Sequence, residues 1–390
     1  MNAPGTAAAR FEPVVDLLHA AVEDGTERGA SLCVIQDGEV VLDIWDGWFD
    51  FGKTVPWQAD TLTPVWSITK TMVNLAALVL VDRGELDPDS PIARYWPEFG
   101  ASGKAGVTVA QLLGHASGVS GWAQPVTVDD LYDWDKSTAM LAAQESWWEP
   151  GTASGYHLIN QGHLVGEVIR RITGVSVGQF FAKEIAGPLD ADFHIGLGPD
   201  HDARVSPLTP PNPIDLDLSG FDPESVQART LNGPFLHARE ANSERWRRAE
   251  IPGVNGHGNA RSIARAQAVI SHGGEIDGVR LLSPKTIERI FEVQSSGTDL
   301  VLGVQSTFGM GWALPEPGTM PSVTPGHRCY WGGLGGAVVI NDLENRLTIA
   351  YAMNRLIFEY APGTQAIRPC GDSRSDAYVR AIYDALGIAA

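Results

Sequence analysis

The 390-residue chain is expected to fold as an α/β (α+β) protein, an antiparallel sheet flanked by N- and C-terminal helices plus a mainly helical lobe. Three observations predict this. Two β-hairpin signatures lie near opposite ends of the chain, an amphipathic helical stretch lies outside each of them, and the long middle carries helical periodicity. A chain of this length exceeds the size at which one hydrophobic core usually stops growing, so two lobes are expected. Residues 1–95 and 246–390 would form the discontinuous sheet lobe, and 96–245 the helical one.

In chain order, residues 10–27 place Phe11, Val14, Val15, Leu18, Ala21 and Val22 on one helical face. Residues 31–36 and 39–45 are β-rich runs joined by Asp37-Gly38, a pair suited to a tight hairpin turn. A helix is expected to open at Ser67 and continue through the apolar run 72–81. Helical stretches follow at 109–115, 128–144, 160–173 and 176–185. The Pro- and Asp-rich segment 207–223 is expected as a surface loop or lid. A second hairpin joins 336–341 to 346–352 through the polar turn 342–345, and an amphipathic helix closes the chain at 375–386.

Lys and Arg number 28 against 47 Asp and Glu, a net charge of −19 that disfavours nucleic acid and anionic membranes as partners. The first ten residues lack a basic stretch followed by an apolar one, and no run approaches 18 continuous apolar residues, so neither an export signal nor a membrane span is expected. Three cysteines, Cys33, Cys329 and Cys370, form no metal-ligand spacing. The ten histidines show neither H-x-x-x-H nor H-E-x-x-H. The chain reads as cytoplasmic, with no metal and no cofactor.

Three segments can carry chemistry. In Ser67-Ile-Thr-Lys70, positions i and i+3 share a helical face, which brings the Lys70 amine within reach of the Ser67 hydroxyl. Serine needs a neighbouring base to become a nucleophile, and a lysine kept neutral by burial can supply one. The alternative is an ordinary helix with Ser67 as its cap and Lys70 in solvent. In Pro150-Gly-Thr-Ala-Ser-Gly-Tyr156-His157 a tyrosine sits on a Gly-rich turn before a helix, where it can face a cleft; it can equally be a buried tyrosine bonded to backbone. In Trp331-Gly332-Gly333-Leu334-Gly335-Gly336 the glycines let a ligand approach an edge strand closely, or simply suit a twisted strand end. His115 and His157 fall near these segments, although satisfied structural histidines are common. Gly174-Val-Ser176-Val-Gly178 fits the nucleophile elbow G-x-S-x-G, but a helix precedes it where that motif needs a strand, and Ser176 with Gln179 reads as a capping box.

Taken together and in this order, the three segments resemble the serine hydrolase superfamily of class C β-lactamases, D-Ala-D-Ala peptidases and family VIII carboxylesterases. The segments 107–118 and 281–287 are similar to that superfamily as well, so the resemblance covers most of the chain. It implies a β-lactamase/DD-peptidase-like fold with the active site between the lobes. By the same resemblance Ser67 is the nucleophile, Lys70 its partner base and Tyr156 the second general base. Trp331, Gly332 and Gly333 stand where the superfamily carries Lys-Thr-Gly, and the backbone N–H groups of Ser67 and Leu334 form the oxyanion hole. Two departures favour the esterase branch. Trp331-Gly332-Gly333 offers no cation or hydroxyl for a substrate carboxylate, and Leu158 stands where a lactamase carries Asn. The implied activity is hydrolysis of small, short-acyl esters through a Ser-Lys-Tyr acyl-enzyme, with a small-molecule ester as substrate and the oligomeric state left open. The alternatives are a β-lactamase or peptidase, an acyltransferase of the same superfamily, and a catalytically silent binding protein.

Overall fold

Asp37 and Gly38 both adopt positive φ (50° and 86°), the backbone twist that a two-residue hairpin turn requires. That turn joins the longest pair of strands in a computed structural model describing residues 5–211, 222–234 and 236–388. Gly5–Ala7 (β1), Gly29–Gln36 (β2), Glu39–Gly47 (β3), Arg328–Gly332 (β4), Val338–Asp342 (β5) and Leu347–Met353 (β6) form one antiparallel sheet in the order β1-β3-β2-β6-β5-β4. The two ends of the chain thus meet at the β2–β6 ladder, as the paired hairpins predict. Every residue of β5 and β6 is buried, so both faces of the sheet centre are covered and no polar/apolar alternation appears; the polar Asn341, Asp342 and Thr348 are buried with the rest.

Helix α1 (Glu12–Glu23) packs on β3 and on the C-terminal helix. It is shorter than the expected 10–27, because its first turn is a 3₁₀ segment and the chain leaves the helix at Asp24. Helix α2 (Ile68–Asp82) is buried along almost its whole length and, apart from Asn74, apolar from Met72 to Val81. That burial explains the apolar run. The middle of the chain holds α3 (Val109–Leu113), α4 (Val128–Tyr132), α5 (Trp134–Ala143), α6 (Gln161–Thr173) and α7 (Val177–Phe181). The single helix expected over 128–144 is two, because Asp133 leaves helical geometry (ψ 94°) and caps α5 by accepting the Lys136 N–H. The helix expected over 176–185 is α7, which then widens into a π-type turn, Ala182–Ala186. Helix α8 (Ala260–Ser271) lies against β2, β5 and β6, and α9 (Ser373–Leu386) ends the described chain.

Strand β1, three exposed residues without a pattern, is not in the sequence reading; β4 is the edge strand expected at Trp331-Gly332. Of the segment 207–223, residues 212–221 lie outside the described residues. Its first part is fixed: Leu208 is fully buried, and Thr209 exchanges backbone bonds with Asn354 and Leu356. One connected apolar core runs from Phe11 to Tyr383 and includes side chains of α2, α6, α8 and the sheet.

Candidate active site

Ser67 stands at the N-terminus of α2 on a backbone bend. The preceding Trp66 is buried with φ 49°, a conformation costly for a bulky residue. The bend is held from outside: Thr63–Pro64 pairs with His257–Gly258, Val65 N–H donates to Gly256 O (3.0 Å), and Gly256 N–H donates to Thr69 Oγ1 (2.7 Å). Within the Gly-rich segment 255–259, His257–Gly258 is a two-residue strand that supports this bend. Phe193 fills the space where side chains at 256 and 258 would sit. The Ser67 hydroxyl makes no capping bond, unlike most helix-opening serines.

Lys70 is fully buried, and its Nζ bonds three oxygens: Ser67 Oγ at 3.0 Å, Leu158 O at 2.8 Å and Gly253 O at 2.8 Å. Burial pushes its amine well below the ordinary lysine value. Nζ donates to all three in this geometry; an amine that has lost its proton would fit the same partners, two N–H groups satisfying the carbonyls and the lone pair accepting the serine O–H. The other fully buried lysine, Lys104, differs: its Nζ donates to the carbonyls of Ala101, Ala142 and Gln144 and meets no hydroxyl.

Tyr156 brings its ring over Lys70, with Nζ 5.1 Å from the ring centroid. Burial drives its phenol up, while the neighbouring Ser67 hydroxyl and Trp331 indole oppose the shift. The indole Nε1–H is buried and close to the phenol, yet outside hydrogen-bond geometry. The ring of Trp331 lies 5.9 Å from that of Tyr156 and stacks on His115 at 5.4 Å. The sequence-predicted Ser67, Lys70, Tyr156 and Trp331 are therefore gathered at one place, 264 positions apart at the extremes.

Gly332 ends β4 at the sheet edge, and Gly333–Gly336 turn away from it. A Cβ at Gly333 would collide with Val65 O next to the Ser67 bend, so only glycine lets this loop close on α2. A Cβ at Gly332 would stand 2.6 Å from Cys370 Sγ and 2.7 Å from its Cα. Among the described residues, the backbone N–H groups of Ser67 and Leu334 have no hydrogen-bond acceptor, which leaves both available to a ligand. Leu334 is 39% exposed at the rim. Arg374, buried at the start of α9 and paired with Glu27 and Asp372, braces the loop by donating to Gly335 O (2.9 Å) and Arg355 O (3.0 Å).

Beside Tyr156 and Trp331 opens a narrow, mostly apolar cavity, also lined by Leu302, Phe308, Gly332 and Cys370. Its volume is about 30 Å³, room for roughly two waters. Burial pushes the Cys370 thiol up to about 12, so this wall of the cavity is uncharged.

Three residues that sequence reasoning did not assign to the site also surround Tyr156. His157 is neutral, driven down to about 3 by burial, with its ring bonded to Ser117 Oγ and Gly155 O; it is a satisfied structural histidine. His115 has positive φ (59°) and packs 4.8 Å from the Tyr156 ring. Asp299 is buried and accepts the Tyr156 N–H. Ser176, by contrast, forms the capping box with Gln179 and donates to Glu250 Oε1 (2.6 Å). Among the described residues one group, Asp192, His194 and His201, has metal-ligand proximity, but Arg204 already occupies both Asp192 oxygens and meets His201 Nδ1.

The beta-lactamase family profile matches residues 14–368. The chain belongs to the beta-lactamase family. It is 33% identical to the esterase/beta-lactamase LipL of Mycobacterium tuberculosis over 378 residues, covering 90% of this chain and 83% of that one. Among solved structures it resembles a family VIII carboxylesterase at 38% identity and TM-score 0.88, over 99% of this chain and 100% of the other. A penicillin-binding protein homologue from Caulobacter crescentus is similar at 32% identity and TM-score 0.86, over 99% and 100% of the two chains. The family and its mixed helical and antiparallel-sheet fold agree with the resemblance drawn from the three motifs.

Proposed function

We propose that the protein is a serine carboxylesterase acting on small, uncharged esters with short acyl chains. The observation that carries this reading is the Lys70 amine, buried and bonded to Ser67 Oγ with its other two partners being carbonyls. Ser67 Oγ attacks the ester carbonyl while its proton passes to Lys70 and Tyr156, which act together as the base. The N–H groups of Ser67 and Leu334 stabilise the oxyanion. The alcohol leaves with a proton from the same pair, and water attacking the acyl-serine completes the cycle. Relatives named as esterases support the reaction class. The narrow apolar cavity supports a short acyl group, and Trp331 with Gly332 supports an uncharged substrate, since neither supplies a cation or a hydroxyl for a carboxylate. Three buried, unpaired cysteines favour a reducing, cytoplasmic setting.

Weak β-lactam turnover is the second reading, favoured by the esterase/beta-lactamase name of LipL and by machinery that is indifferent to ring opening. One panel separates the two. kcat/KM for p-nitrophenyl acetate and butyrate should exceed that for penicillins by about two orders of magnitude or more, the scale set by an unrecognised buried charge. Trp331→Lys should narrow the gap. Penicillin hydrolysis matching ester hydrolysis would overturn the proposal in favour of the lactamase branch.

A further inference from the structure

The turn that carries Tyr156 is held in an unusual way. Three successive backbone N–H groups each have an acceptor from a distant part of the chain. Gly155 N–H donates to His115 O at 3.0 Å, Tyr156 N–H to Asp299 Oδ1 at 3.1 Å, and His157 N–H to His115 Nδ1 at 3.0 Å. His115 reaches the turn with main chain and ring together because its backbone takes the left-handed conformation (φ 59°). Its Nδ1 must be the unprotonated nitrogen to accept, so the ring is the Nε2–H tautomer, and that Nε2 is buried without a partner.

Asp299 is stranger still. Its Oδ1 also accepts the N–H groups of Val301 and Leu302, both at 2.8 Å, while Oδ2 is buried with no partner at all. An isolated carboxylate with one oxygen unsatisfied is a poor choice for stability alone. What this carboxylate does accomplish is to fasten two things to one atom: the Tyr156 backbone, and the 299–302 loop whose Leu302 forms a wall of the cavity.

We infer that Asp299 and His115 form a clamp that positions Tyr156 for proton transfer and fixes its spacing from the acyl cavity. Both are positioning residues acting through Tyr156. The inference rests on the proposed role of Tyr156 and is tested by a cycle that separates the two. In the full-length protein, with p-nitrophenyl butyrate as substrate, Asp299→Ala should lower kcat by about 10²-fold, the cost of a misplaced reacting group, with KM moving about twofold or less. Asp299→Asn keeps the acceptor oxygen and should recover most of that loss. In a Tyr156→Phe background, Asp299→Ala should cost no more than about twofold further, because the residue it positions has already lost its hydroxyl.

The same loss in both backgrounds would overturn the clamp and leave Asp299 a structural residue. Full kcat in Asp299→Ala would overturn it as well. If Asp299→Ala does not fold, His115 supplies the same test. His115→Asn places an acceptor near the Nδ1 position and tolerates positive φ, so it should exceed His115→Ala in kcat by about tenfold or more. Equal kcat for these two variants would overturn the inference. Undiminished activity of Tyr156→Phe alone would instead refute the Ser-Lys-Tyr reading, and the clamp's role with it.

Discussion

Ser67 and Ser176 both open a helix, and both sit in a short motif associated with nucleophilic serines, yet their hydroxyls are spent differently. Ser176 has extended geometry (ψ 160°), accepts the Gln179 N–H at 3.2 Å and donates to Glu250. Both its donor and its acceptor capacity are committed to holding α7 in place. Ser67 has helical geometry (ψ −7°), caps nothing, and is bonded by a lysine whose amine burial holds well below the ordinary lysine value. A motif records which atoms are near in sequence. What separates a cap from a nucleophile is which bonds the hydroxyl is left free to make.

The largest test of that contrast is removal of each hydroxyl. Ser67→Ala should abolish hydrolysis of a short p-nitrophenyl ester, by roughly 10⁴- to 10⁶-fold in kcat, as loss of a nucleophile from an interdependent unit does. Ser176→Ala should leave kcat unaltered; inactivation by Ser176→Ala would reverse the assignment.

Next in size, Lys70→Ala and Tyr156→Phe should each lower kcat by about 10²- to 10⁴-fold. The double variant should fall far short of the product of the two losses, because both side chains handle the same proton. Full multiplicativity, read from the four kcat values, would show them working independently.

A smaller effect concerns pH. The folded-state pKa of Lys70 lies below its ordinary value of 10.5, so between the two the unfolded chain binds more protons than the folded one. Stability from this group therefore rises with pH across that window and is lowest below the folded pKa. Urea denaturation from neutral pH to pH 10 should show this rise, and Lys70→Ala should flatten it. kcat/KM should rise through an apparent pKa well below that of free lysine; an acid limb at the free-lysine value would contradict a neutral resting amine.

The smallest effect returns to Ser176. Losing this cap should cost about 1 kcal/mol of stability, measured by chemical denaturation, with no change in kcat.

Much of the site was legible because it is written in local spacing. Ser67 and Lys70 are one helical turn apart, Asp37-Gly38 dictates its own turn, and Trp331-Gly332-Gly333 departs from Lys-Thr-Gly in residues whose chemistry is plain. The hairpins were legible for the same reason, and their pairing into one sheet follows from both ends being apolar. The clamp was not. Asp299 lies 143 positions from Tyr156 and its bond is to a backbone N–H, which carries no side-chain identity for a pattern to register. Gly253 O, a partner of Lys70, is hidden in the same way. His115 was noticed beside a motif, but its left-handed backbone and its two acceptors toward the 155–157 turn are properties of the folded chain. The break at Asp133 was missed because apolar periodicity continues across it while its carboxylate caps the second helix.

Gly332 has one further consequence, for how such a protein can change. A hydroxyl-bearing residue at this position is what a carboxylate-recognising third motif would require, and its Cβ would press on Cys370 from Sγ to Cα. Shortening the cysteine side chain would clear the sulfur but not the main chain behind it. A Lys-Thr-Gly motif is therefore out of reach by substitution at 331 and 332 alone; the segment around Cys370 has to retreat first, and that retreat would open the cavity wall while conferring no anion recognition. Each step is harmful before the other is in place. The proposed preference for uncharged esters is thus guarded by a valley in the mutational landscape: Trp331→Lys can narrow the gap by restoring a charge, but a hydroxyl at 332 is useful only after a change near residue 370 has made room for it.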